Sequence, residues 1–194
     1  MPNRCPQQRL SLPLVAVLAL FAAAPAAAQK VVPPAKAQPS PLEMTAKKLD
    51  PQTYVKITYS SPRRRDPKTE KNREIFGKLV PYGQVWRLGA NEATELTTTG
   101  DLELAGKRLP AGTYSLYAIP QADKWTLIVN RDLGKWGAYE YKQATDVLRV
   151  DVPVKKSADT YEAFTITLDE KAGTLSFSWE NTQVSVPLRA AKKA

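Results

Sequence analysis

From Glu95 to Leu188 the chain is a train of short runs in which apolar and polar residues alternate, each run closed by a turn signal. Tyr114, Leu116 and Ala118 share one parity, as do Trp125, Leu127 and Val129, then Leu148, Val150, Val152 and Val154. Phe164, Ile166 and Leu168, Leu175, Phe177 and Trp179, and Val184, Val186 and Leu188 repeat the pattern. A period of two puts one set of side chains on one face of an extended strand, so each run reads as a strand with a buried face. Between the runs stand Gly100-Asp101, Ala105-Gly106, Pro110-Ala111-Gly112, Asp169 to Gly173 and Asn181-Thr182, which are turn chemistry. Short strands at such spacing specify an antiparallel all-β fold, and strands alternating with helices, which a parallel sheet needs, are missing. The architecture expected is a two-sheet β-sandwich, with a jelly roll as one form of it.

Upstream, Thr53–Ser60 alternates in the same way, with Val55, Ile57 and Tyr59 on one face. Lys68 to Phe76 is expected to form one short helix near the N-terminal side of the domain, closed by Gly77. Pro153 marks an edge position, because it has no N–H to give to a ladder. Residues 130–143 break the rhythm with Gly134, Trp136, Gly137, Tyr139 and Tyr141, a long aromatic connection of the kind that often binds or packs.

The first 28 residues have the layout of a cleavable signal peptide. Arg4 and Arg9 precede an apolar run from Leu10 to Ala23, and small residues lead to Ala26-Ala27-Ala28. Cleavage is expected after Ala28, placing the protein in the periplasm or outside the cell with no transmembrane anchor. Cys5 lies before the apolar run, whereas a lipid-anchor cysteine would follow it. Residues 29–49, rich in Pro, Ala, Lys and Gln, bury too little apolar surface to offset their ordering entropy and read as a disordered linker. The folded domain is then residues 50–188, and residues 189–194 form a basic tail.

Composition removes most catalytic chemistry. The chain contains no histidine, and its one cysteine lies in the signal segment. No imidazole exists to activate a serine or cysteine nucleophile, and zinc and copper sites lose their usual ligands. No metal site, cofactor or catalytic residue is assigned. The formal charge is +9, yet the basic residues are scattered through strands rather than set in a stripe interleaved with aromatics. Nucleic acid is therefore not an expected partner.

One stretch concentrates polar and aromatic groups between glycines: Trp86-Arg87-Leu88-Gly89-Ala90-Asn91-Glu92-Ala93-Thr94. Trp86 is expected to pack in the core, with a ligand-stacking role as the alternative. Arg87 points to the opposite face of a strand. It is expected to pair internally with Glu92 or Glu95, or else to clamp an anionic ligand bidentately. Asn91 suits a left-handed turn position, and its amide could equally serve a sugar hydroxyl. The candidate ligand-binding residues are Trp86, Arg87, Asn91, Glu92, Thr94, Trp136 and Tyr139. Glu92 and Glu95 are the only acids near the stretch that could serve a glycosidase-like pair.

Ile75-Phe76-Gly77, Val80-Pro81-Tyr82-Gly83, Val85-Trp86-Arg87, Gly89 to Thr94, Leu109-Pro110-Ala111-Gly112-Thr113-Tyr114-Ser115-Leu116 and Ile119-Pro120 together resemble the DUF2911 family of exported bacterial proteins. The resemblance covers about Tyr54 to Leu188 and implies no established substrate. Leu88 departs from it, since the family generally has Thr there, and the loop from Arg63 to Arg73 is unusually long and charged. The expected function is a non-catalytic binding or interaction module of the cell envelope for a polar, glycan-like ligand. The alternatives are a carboxylate-dependent hydrolase using Glu92 and Glu95, and a purely structural envelope protein.

Overall fold

A computed structural model describes residues 38–192; the expected signal peptide, the expected linker up to Ala37 and residues 193–194 lie outside the described residues. Nine strands form the described chain: β1 (Leu42–Lys48), β2 (Tyr54–Ser60), β3 (Ala90–Thr98), β4 (Leu102–Leu104), β5 (Lys107–Leu109), β6 (Gly112–Pro120), β7 (Lys124–Asn130), β8 (Asp146–Asp169) and β9 (Thr174–Ala190). Every pairing is antiparallel, and the strands run in the order β1-β2-β3-β6-β7-β8-β9-β4-β5. No helix among the described residues is long and apolar enough to cross a membrane.

The all-β antiparallel fold stands, but the hydrogen bonding joins the strands in one sheet rather than two. The reason lies in β8 and β9. The stretch Ser157 to Ala163 lacks the alternation of the runs on either side of it, yet its backbone stays extended and β8 continues through it. The first half of β8 pairs with β7 and the second half with β9, with register shifts between Lys156 and Tyr161 and between Tyr161 and Thr165. Such bulges bend a strand without ending it. β9 does the same at Asn181-Thr182, where Glu180 takes a φ of 50° in place of a turn. β8 lies between β7 and β9, but its pairing with β9 begins only at Val154, so the side of Pro153 away from β7 is open.

The bent sheet curls over its own core. The Tyr59 hydroxyl of β2 accepts a hydrogen bond from Ile166 N at 3.1 Å, and Ser61 Oγ donates to Phe164 O at 2.8 Å. Phe164 N in turn donates to Pro62 O at 2.9 Å, so the end of β2 lies on the far half of β8. Inside pack Val55, Ile57, Leu96, Leu116, Trp125, Leu127, Phe164, Phe177, Trp179 and Val186, all essentially without solvent contact. A smaller cluster of Ala93, Tyr117 and Ile128 lies on the opposite face, so β7 is buried on both sides as its sequence implies.

Three further expectations change. β1 occupies residues whose composition reads as linker; Leu42, Glu43 and Met44 are exposed, so main-chain pairing with β2 holds the strand and composition does not register it. The expected helix at residues 68–76 is absent. The carboxylate of Asp66 accepts from Lys68 N and Thr69 N, Glu70 sits at φ 60°, and Arg65 bridges Asn72, so the segment folds back as turns. The only helical element among the described residues is a 3-10 turn at Gln143–Thr145. Finally, Arg189 and Ala190 are no frayed tail: they pair with Glu103 and Leu102 of β4, and Arg189 forms an ion pair with Glu103.

Candidate functional site

The stretch from Trp86 to Thr94 is a corner feeding β3, and alternate residues in it have separate duties. Trp86 exchanges backbone hydrogen bonds with Ala118 of β6 at 2.7 and 2.8 Å, which fixes its indole against Phe76, Trp125, Phe164 and Trp179. Its ring lies 6.1 Å from that of Trp179 at an interplanar angle of 20°, and its indole N–H donates to Gly89 O at 3.0 Å. Leu88 is wholly buried at φ 52°, a left-handed conformation that non-glycine residues rarely adopt. Buried Thr94 holds that conformation in place: its hydroxyl donates to Leu88 O, and its N–H to Arg87 O at 3.1 Å. A Cβ at Gly89 would lie 2.8 Å from Ser60 O, so the close approach of this corner to β2 requires glycine. Asn91 adopts φ 55°, the left-handed turn its type suits, and its amide donates at 3.3 Å to Ser40 O and to Ser60 Oγ.

Arg87 is the exception. It is half-buried, yet among the described residues its guanidinium makes no hydrogen bond and no ion pair, and its Nε–H is shielded from solvent without a partner. The expected internal pair does not form. Glu92 accepts from Ser60 Oγ at 3.5 Å and Glu95 from Gly134 N at 3.0 Å. Burial pushes the Arg87 guanidinium below its ordinary pKa, with Tyr139 opposing that shift. An arginine starts so far above neutrality that it keeps its charge.

Arg87 lines a cleft of about 160 Å³ together with Arg73, Ser40, Trp86, Gly89, Ala90 and Trp179, with Pro62, Leu79 and Val80 completing the wall. Arg73 donates through Nη2 to Arg63 O, and its Nε is a second shielded donor with no partner. Trp179, 1% exposed, carries a third in its indole N–H. Four shielded side-chain polar atoms without partners occur among the described residues, and three of them belong to residues of this one cleft. Among the described residues no carboxylate lines it.

Glu92 and Glu95 line a different cleft, of about 220 Å³, with Tyr59, Ser60, Thr58 and Gly134. The aromatic loop docks beside both. Ala93 N donates to Lys135 O and Gly137 N to Asn91 O, each at 2.9 Å, and Glu92 bridges Trp136 through the backbone. This leaves the Trp136 and Tyr139 side chains in solvent, 62% and 87% exposed. The loop base is tied by Asn130, which donates to Lys142 O at 3.0 Å and Asp146 Oδ1 at 2.8 Å; its role is to order the loop. Among the described residues no group of three or more Cys, Asp or Glu side chains is placed to hold a metal ion.

Of the seven candidates read from sequence, Trp86 and Arg87 share the first cleft and Glu92 lines the second. Asn91 and Thr94 are engaged within the protein, and Trp136 and Tyr139 stand at the surface. Sequence reasoning missed Arg73 and Trp179 as cleft residues. Arg73 lies in a charged loop whose composition reads as solvated, and the signal that it turns inward is its neighbour Ile75, fully buried two residues on. Trp179 reads correctly as core; that its N–H lacks a partner depends on packing alone.

An antiparallel all-β domain with this corner at the start of β3 is the frame for the comparison with known proteins. Residues 40–188 match the family model described as a protein of unknown function, DUF2911, and the chain belongs to that family. Searches of curated proteins and of solved structures each returned no match.

Proposed function

We propose that this is an exported cell-envelope protein acting as a non-catalytic binding module, with the cleft under the Trp86–Thr94 corner as its ligand site. The observation that carries the reading is the unpaired Arg87. A half-buried guanidinium with no carboxylate partner costs stability, and such a cost is commonly tolerated where a ligand supplies the missing partner. The exposed Trp136 and Tyr139 add apolar faces on which a sugar ring stacks. Binding of purified envelope glycans by the wild type is compared with two variants: Ala90→Phe, which fills the cleft, and Trp136→Ala, which strips the loop. Loss of binding in Ala90→Phe supports the cleft. Undiminished binding by both folded variants would overturn the reading.

A second reading, a carboxylate-dependent hydrolase, is favoured by one observation: Glu92 and Glu95 share a cleft and, among the described residues, neither is paired with a cation. It requires glycosidase turnover that disappears in Glu92→Gln and Glu95→Gln. Turnover that persists in both variants removes it.

A further inference from the structure

We infer that the ligand of the Arg87 cleft is an organic carboxylate, bound through Arg87 and Arg73 with its carbon body against the indole wall. The inference rests on the reading of this cleft as a ligand site and adds the chemistry of what enters it. Two guanidinium groups and an indole line the cleft, and each of these side chains carries one shielded N–H without a partner among the described residues. The side-chain acceptor on the wall is the hydroxyl of Ser40, and no carboxylate among the described residues lines the cleft to neutralise the two cations. A buried donor left unpaired carries its desolvation cost in full, and a buried cation carries more. An incoming anion offsets both at once, and a neutral polar group offsets only the first. The site therefore discriminates by charge.

The wall chooses among anions. Pro62, Leu79, Val80, Trp86, Ala90 and Trp179 give the cleft an apolar part beside its polar one. A free inorganic anion keeps hydration on every side and gains nothing from such a wall. A carboxylate is planar, matches the guanidinium fork in two parallel hydrogen bonds, and carries a carbon skeleton that takes up the apolar part. The volume of about 160 Å³ admits a compact group such as one acidic sugar or a short organic acid, not a folded partner.

The test uses the full chain and three probes: D-glucuronate, D-glucose and inorganic phosphate, titrated by calorimetry at low and high salt. Glucuronate binding that weakens with salt and falls by about 10-fold to 100-fold in Arg87→Gln is the expected result, the range for losing one of the two charge-assisted hydrogen bonds while the amide keeps the other donor. Glucose binding as tightly as glucuronate overturns the carboxylate inference and leaves the cleft a ligand site. Phosphate binding more tightly than glucuronate overturns the choice of a carboxylate and retains an anion site. No binding of any probe overturns the inference. In that case the thermal midpoint of unliganded Arg87→Leu decides the reading beneath it. If the guanidinium is held unpaired for a ligand, removing it raises the midpoint by about 2–4 °C. If it serves the fold, the midpoint drops, and the ligand site falls with the inference.

Discussion

Replacing Thr94 by Val keeps the size and branching of the side chain and deletes one donor, the hydroxyl that bonds Leu88 O. Thr94 and Leu88 are both fully buried, so solvent does not replace the lost partner. A buried carbonyl stripped of its donor costs about 1–3 kcal/mol. The left-handed φ of 52° at Leu88 gives that carbonyl little freedom to turn towards another donor. Thr94→Ser is the matched control: it retains the donor and loses one methyl group, worth roughly 1 kcal/mol in a packed interior. Urea unfolding followed by tryptophan fluorescence reads both, since Trp86 sits beside the corner. The expected order is wild type, then Ser, then Val as the least stable. If Ser is the less stable variant, methyl packing rather than the hydrogen bond fixes the corner, and the account of how Arg87 is presented to its cleft is wrong.

Burial, more than any other cause, raises the pKa of Tyr59, Tyr117 and Tyr141, and for Tyr141 a hydrogen bond to Asp146 at 2.6 Å adds to it. These phenols hold their protons more tightly folded than unfolded, so their contribution is complete below the unfolded value near 10 and is lost as pH rises beyond it. Absorbance at 295 nm during alkaline titration should show three of the eight tyrosines ionising only with unfolding, and smooth ionisation of all eight before any loss of structure would contradict this. The β4–β5 turn places Ala105 at φ 48° before Gly106 at φ 76°, a geometry that favours Asn-Gly. Ala105→Asn should stabilise by about 0.5–1 kcal/mol in the same urea assay, and a loss of stability would count against the turn assignment. If the first 28 residues are a signal peptide, N-terminal sequencing of exported protein returns Gln29; recovery of intact Met1 refutes export by that route.

The alternating runs made the strands from β6 to β9 legible, because burying one face leaves a period of two that side chains record directly. Positions held by backbone alone left no such record. β1 is paired through its main chain while Leu42 and Met44 stay exposed, so its residues resemble the linker before them. Ser157 to Ala163 stays extended although its side chains are mostly exposed, and this hid the joining of two strands into one. The corner was legible as a place but not as a division of labour. Trp86 as core and Asn91 as a left-handed turn follow from residue type. That Arg87 lacks an acid depends on where Ser60 and Gly134 take up Glu92 and Glu95, which no local spacing encodes. Arg73 reaches the cleft only because the turns after Asp66 reverse the chain.

The pairing of Leu102 with Ala190 also dictates when this protein can become a protein at all. β4 and β5 are synthesised midway, but β4 has its second partner only in the last stretch of β9, so the hairpin leaves the ribosome with one edge open. Leu102, Leu104 and Leu109, none of which touches solvent in the finished fold, stay uncovered through that interval. Long-range closure of this kind slows folding. A chain stopped before Leu188 lacks the end of β9 that pairs with β4. A premature stop there leaves β4 with an open edge of the kind that invites aggregation.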